Sequence, residues 1–146
     1  MPARLRAWTA LSPRERRLVA RAVWLLFCAR WSLRLRGVAG SLQSFSGPSK
    51  RLPQDEPPVV PAEAREIQRA LRRARIGLAW KGSCLPEALA GCRMLRDRGI
   101  EARVRFSVRK SGEAGIRAHA WIEIEPSGER INRDPSYVDF KAPGER

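Results

Sequence analysis

A chain of 146 residues with 43% hydrophobic content has the size and apolar content of one domain and leaves no room for a second full one. Lysine and arginine total 29 against 15 acids, a formal charge of +14, which directs attention to an acidic partner or surface. Eleven of the basic residues and a single acid, Glu15, fall within residues 1–54, whereas eighteen basic residues face fourteen acids from Asp55 on, so the second part has the near-balanced charge of a folded core rather than of a disordered tail.

The first predicted helix opens at Ser12-Pro13-Arg14-Glu15, where Ser12 can cap, Pro13 suits the first turn and Glu15 can reach back as a capping box. It is expected to run to about Leu35, before Gly37. Its apolar residues cover more than one face while Arg17, Arg21, Arg30, Arg34 and Arg36 punctuate it, the pattern of a helix that wants a partner surface. Its most apolar stretch, Ala22 to Ala29, lies between Arg21 and Arg30 and is far shorter than the roughly 20 residues of a bilayer span. No apolar run follows Met1 as a signal peptide would require, so a cytoplasmic protein without a transmembrane span is expected. Five prolines, three glycines and four serines between Gly37 and Pro61 read as a linker or irregular loop.

A second helix is predicted from Pro61 to about Arg75, with Ala64, Ile67, Ala70 and Leu71 at helical spacing. A third starts at Cys84 or Leu85, carries Pro86 in its first turn, buries Leu85, Ala88, Leu89, Cys92 and Leu95, and stops at Gly99. The period then changes to two. Ala102, Val104, Phe106 and Val108 form the apolar side of one strand, a turn follows over Ser111 to Gly115, and Ala118, Ala120, Ile122 and Ile124 form the apolar side of the next. Pro126-Ser127-Gly128 fits a three-residue hairpin loop leading to Glu129–Asn132 and then to Asp134-Pro135.

Chemistry concentrates at three positions. Cys84 sits at a helix N-terminus after Gly82-Ser83, where unpaired backbone N–H groups and the positive end of the dipole favour a thiolate. Cys28 and Cys92 lie within apolar stripes, as small buried hydrophobes do. Cysteines so far apart, with a single histidine, make neither a zinc knuckle nor a disulfide framework, and no metal or other cofactor is expected. His119, the only histidine, stands on the face of its strand opposite the aliphatic residues. If Glu125 pairs with Glu129, Asp134 falls opposite Ala120; a slip of one residue places it across from His119. Either register brings a carboxylate near the imidazole, as a general base needs. Asp139, five residues on, is the other candidate and is expected beyond the strand.

The strings Gly82-Ser83-Cys84-Leu85-Pro86-Glu87-Ala88-Leu89, Ala118-His119-Ala120-Trp121-Ile122-Glu123-Ile124 and Asp134-Pro135-Ser136 resemble the Cys, His and Asp motifs of the transglutaminase-like superfamily. More narrowly, the chain is similar to the free-standing leader peptidases of lasso-peptide biosynthesis, and its opening Leu11-Ser12-Pro13-Arg14-Glu15-Arg16-Arg17 fits that form. The resemblance implies an α+β fold: a papain-like or transglutaminase-like core over residues 55–146, with a nucleophile helix packed on a small antiparallel sheet, preceded by a basic helical segment over residues 1–54. It implies Cys84 as nucleophile, His119 as base and Asp134 as orienting acid. The implied reaction is cleavage between leader and core of a ribosomal precursor peptide. The implied partners are the precursor's leader, a separate leader-recognition protein and an ATP-dependent cyclase.

Residues alone do not choose between water and an amine as acceptor of the thioester. The backbone N–H of Cys84, with a second group from Trp80 to Ser83, is expected to hold the oxyanion. A competing reading makes the chain a non-catalytic module of degenerate fold, its basic helix with Trp8, Trp24 and Trp31 contacting nucleic acid or another protein. No recognised nucleic-acid motif is present, so no nucleic-acid partner is expected.

Overall fold

The computed structural model describes residues 8–47, 60–81, 84–125 and 127–139. Helix α1 spans Pro13–Phe45 and begins as its sequence requires: Ser12 Oγ accepts from the Glu15 amide at 3.2 Å while the Ser12 amide donates to Glu15 Oε2 at 2.9 Å. It does not stop before Gly37. That glycine leaves helical geometry (φ 68°, ψ −171°), a conformation open to it for want of a Cβ, and a second helical limb follows to Phe45. Leu42 and Phe45 pack on the core, Ser32 and Ser41 hydroxyls pair at 2.9 Å, and Arg36 donates to Ser44 Oγ at 2.8 Å. Residues 38–45 are therefore helix, not loop: the burial available to Leu42 and Phe45 outweighs the glycines and serines between them. The rest of the expected loop, residues 48–59, lies outside the described residues.

Helix α2 (Val60–Leu78) buries Ala64, Ile67, Ala70, Leu71 and Ala74, one apolar stripe of helical period, and runs a turn past the expected Arg75. Helix α3 (Cys84–Arg96) buries Ala88, Leu89, Cys92 and Leu95 and is followed by Gly99 in the left-handed region at φ 78°. At its centre stands Gly91. A Cβ there would meet Ile122 Cδ1 at 2.7 Å and Leu71 Cδ1 at 3.0 Å, so the absent side chain is what lets α3 approach both the sheet and α2. All three helices share one hydrophobic cluster with Ile122, Ile124 and Ile131 of the sheet. Ion pairs tie them at the surface: Arg14 with Glu66 (3.0 Å) and Arg73 with Glu15 (2.9 Å) join α1 to α2, and Arg21 reaches Asp97 just beyond α3.

Four antiparallel strands complete the α+β fold: β1 (Ala102–Lys110), β2 (Ile116–Ile124), β3 (Glu129–Ile131) and β4 (Val138–Asp139), in the order β3-β2-β1-β4 of a curled sheet. The turn between β1 and β2 is a short 3-10 segment, Gly112–Ala114. In β2/β3 the partners are Ile124↔Glu129 and Ile122↔Ile131, one residue removed from a Glu125–Glu129 pairing. The cause is local: Gly128 at φ 70° donates to the Ile124 carbonyl at 2.8 Å, so Glu125 leaves the ladder and joins the turn. Pro126 of that loop lies outside the described residues. Strand β4 is unanticipated and brings the chain back across to pair with β1. Among the described residues, no helix is long and apolar enough to cross a membrane.

Candidate active site

Cys84 is the first residue of α3, with a free thiol at a half-buried position. Trp80, four residues before it, is held from α1: the rings of Phe27 and Trp80 meet edge to face at 5.0 Å, and the Arg30 guanidinium lies 4.8 Å from the Trp80 ring centre. Of Trp80 to Ser83, the stretch expected to supply a second oxyanion donor, Gly82 and Ser83 lie outside the described residues. Cys92 is unlike Cys84. Its Sγ donates to the Ala102 carbonyl at 3.2 Å, and burial pushes its thiol up to about 11, against weaker opposing attraction from Arg96.

His119 stands on β2, directly opposite Ser107 of β1, and Ser107 in turn is opposite Asp139 of β4. Three side chains on three strands therefore share one face in one row. The row's centre, Ser107, is fully buried. Above this face the chain passes from β3 to β4, bringing the Tyr137 ring to 5.3 Å from the imidazole, with the Arg109 guanidinium 4.8 Å from the Tyr137 ring. His119 Nε2 bonds to the carbonyl oxygen of Asn132 at 2.5 Å. Asn132 itself has φ 60°, and its Oδ1 accepts from Gln68 Nε2 of α2 at 3.0 Å. With a carbonyl as acceptor, Nε2 must carry the hydrogen, which leaves Nδ1 of the neutral ring as the atom able to take a proton.

The two carboxylates differ in their attachments. Asp134 Oδ1 accepts from the Ser136 amide (2.9 Å) and hydroxyl (2.7 Å), and these bonds, with smaller attractions from Arg109 and His119, hold its carboxyl below the ordinary aspartate range. Asp139 is gripped by Arg133 at 3.1 and 3.2 Å and by Arg130 at 3.4 Å. Asp134 lies within electrostatic reach of the imidazole but is not its hydrogen-bond acceptor, because β3 ends at Ile131 and the left-handed Asn132 turns the chain out of the ladder before position 134. Asp139, expected beyond the strand, lies in β4. No hydrogen bond joins Cys84 to His119 among the described residues. Asn132, Gln68 and Tyr137 were missed from the sequence; the one available signal was asparagine following a short strand, since asparagine tolerates the left-handed region.

The family model of the transglutaminase-like superfamily matches residues 22–141, which takes in Cys84, His119, Asp134 and the whole sheet. The chain belongs to the transglutaminase-like superfamily. No curated protein and no solved structure matches it. A transglutaminase-like domain fits a cysteine peptidase-like fold, and the superfamily includes cysteine peptidases. Among the described residues of this transglutaminase-like domain, no three of His, Cys, Asp and Glu gather as a metal site.

Proposed function

We propose that the chain is a cysteine peptidase that removes the leader from a ribosomally made lasso-peptide precursor, using Cys84, His119 and Asp134. The observation that carries the reading is the bond from His119 Nε2 to Asn132 O, which presents Nδ1 as a base on the same domain as a helix-N-terminal thiol. In the first half-reaction His119 Nδ1 takes the Cys84 proton and Sγ attacks the scissile carbonyl. The Cys84 backbone N–H donates to the oxygen that becomes negative. Collapse breaks the C–N bond, the imidazolium gives its proton to the leaving amine, and the core peptide departs with a new N-terminus. Water, deprotonated by Nδ1, then opens the thioester and releases the leader as a carboxylate. Asp134 contributes its negative charge while the imidazole is protonated. Catalytic hydrogen bonds commonly tighten only when substrate is bound, and this reading requires the thiol and imidazole to meet in that complex.

In this reading residues 55–146 form the peptidase core and residues 1–54 supply the surface for the leader-recognition protein and the cyclase, all in the cytoplasm. The support is the exposed run Trp24, Trp31 and Leu35, which lines a groove with Phe45 of the second limb of α1. The test is cleavage of a leader-bearing precursor in heavy-oxygen water, read by mass spectrometry. A leader fragment whose new carboxylate carries one heavy oxygen is expected. Transfer of the leader to an added amine without hydrolysis, or release by the Cys84→Ala variant, overturns the assignment.

A further inference from the structure

A groove of about 370 Å³ runs between α2 and the first turn of α3, lined by Gln68, Arg69, Arg72, Arg75, Glu87 and Asn132 with Leu71 at its base. Its walls reach both halves of the proposed chemistry: Asn132 holds the imidazole of His119, and Glu87 is in the first turn after Cys84. Its charge is one-sided. Arg69 and Arg72 are a helical i, i+3 pair on one exposed face of α2, and neither meets an acid among the described residues, whereas Arg75 is occupied by Glu87 at 3.3 Å.

We infer that this groove is a subsite for the precursor and takes a peptide segment with acidic side chains next to the cleaved bond, an inference that rests on the peptidase reading. Arg69 and Arg72 offer planar donor forks to Asp or Glu carboxylates, and the side-chain amides of Gln68 and Asn132 present the donors and acceptors that an extended peptide backbone needs. A nucleic acid suits the groove less. Its lining has no aromatic ring for a base to stack on.

Binding is measured by fluorescence anisotropy on the full chain carrying Cys84→Ser, so that nothing is cleaved. The probes are a short labelled Glu-rich peptide, its Gln-substituted counterpart, and a single-stranded oligonucleotide of equal length. The expected result is tighter binding of the acidic peptide, weakened about tenfold by Arg69→Gln with Arg72→Gln, in line with two partly exposed charge pairs. Added salt should narrow the difference. Because a chain of charge +14 attracts any anion, the control removes Arg17 and Arg34, which expose the same charge on α1; that pair should change affinity by less than about twofold. An equal loss from both pairs overturns the inference, as does equal affinity for the neutral peptide. So does tighter binding of the oligonucleotide that is lost with Arg69 and Arg72. The measurement uses an inactive protein, so failure of the peptidase reading shows in the cleavage assay and failure of the subsite shows here.

Discussion

The imidazole of His119 donates from Nε2 to the carbonyl of Asn132, and Asn132 is fastened through its side chain to Gln68 on a different element of the fold. This arrangement makes Gln68 a positioning residue: it holds a left-handed backbone whose carbonyl fixes the ring. Gln68→Leu should cost about tenfold in kcat, in keeping with a small misplacement of a base. The chain has one histidine, so its Nε2–H is a single resonance by nuclear magnetic resonance. That signal should be protected from exchange in the parent protein, lost in Gln68→Leu and Asn132→Val, and retained in Asn132→Asp, which tolerates the same backbone. Retention in both Gln68→Leu and Asn132→Val refutes the role.

Cys84→Ala and His119→Ala should each lower cleavage by at least roughly a thousandfold while the fold persists, since members of such a unit fail together. Asp134→Asn should be milder. Asp139→Asn releases Arg130 and Arg133 and should lower Tm more than it lowers turnover. A greater loss of turnover from Asp139→Asn than from Asp134→Asn, at equal Tm, reverses the choice of acid.

Alkylation with peptide mapping should find Cys84 modified first and Cys92 last. Cys92 is buried, bonded to Ala102 O and shifted up to about 11, so at neutral pH it offers almost no thiolate. Labelling of Cys92 in the folded protein at a rate comparable to Cys84 contradicts that ordering.

Glu15 links stability to pH. A hydrogen bond from Arg73, then bonds from the amide and hydroxyl of Ser12, bring its carboxyl down from 4.5 to about 2 in the folded chain. A depressed acid stabilises the fold above its unfolded pKa and loses that contribution as pH falls through the folded one. Glu15→Gln should therefore lower Tm at pH 7, with the difference shrinking from about pH 4.5 down to about pH 2. A difference that stays constant over that range rules the linkage out.

The docking surface proposed for α1 is testable by Trp24→Ser with Trp31→Ser, both rings being largely exposed. Phe27 is a poorer choice, because it packs on Trp80 and its loss removes that contact. Single-turnover cleavage should be slow for the protein alone, faster with the proposed leader-recognition protein, and unresponsive to it in the double variant. Full activity of the isolated chain returns the helix to a purely structural part.

The elements were legible wherever burial imposed a period. Leu89, Cys92 and Leu95 announce α3, and the alternation from Ala102 to Ile124 announces a hairpin with His119 on the face opposite its aliphatic residues, although that face is covered at Ser107 and Trp121. The cap at Ser12 was legible too, because a capping box is wholly local. What escaped was set by contacts distant in sequence. The helix beyond Gly37 forms because Leu42 and Phe45 find a core to join, and β4 forms only where β1 offers an open edge. The surroundings of His119 escaped for a smaller reason. One left-handed residue, Asn132, ends β3 early and sends Asp134 away from its ladder position, and no periodicity carries that information.

The crossing from β3 to β4 has a consequence in time. Cys84 and its helix are specified well before the segment that orients His119, for Asn132, Asp134, Tyr137 and Asp139 follow the hairpin in the chain. During synthesis the thiol emerges after Gln68 but ahead of His119 and of the Asn132 carbonyl that holds its ring. Until the segment after β3 has folded back onto the hairpin, the His119 ring lacks the backbone carbonyl that fixes its orientation in the finished fold.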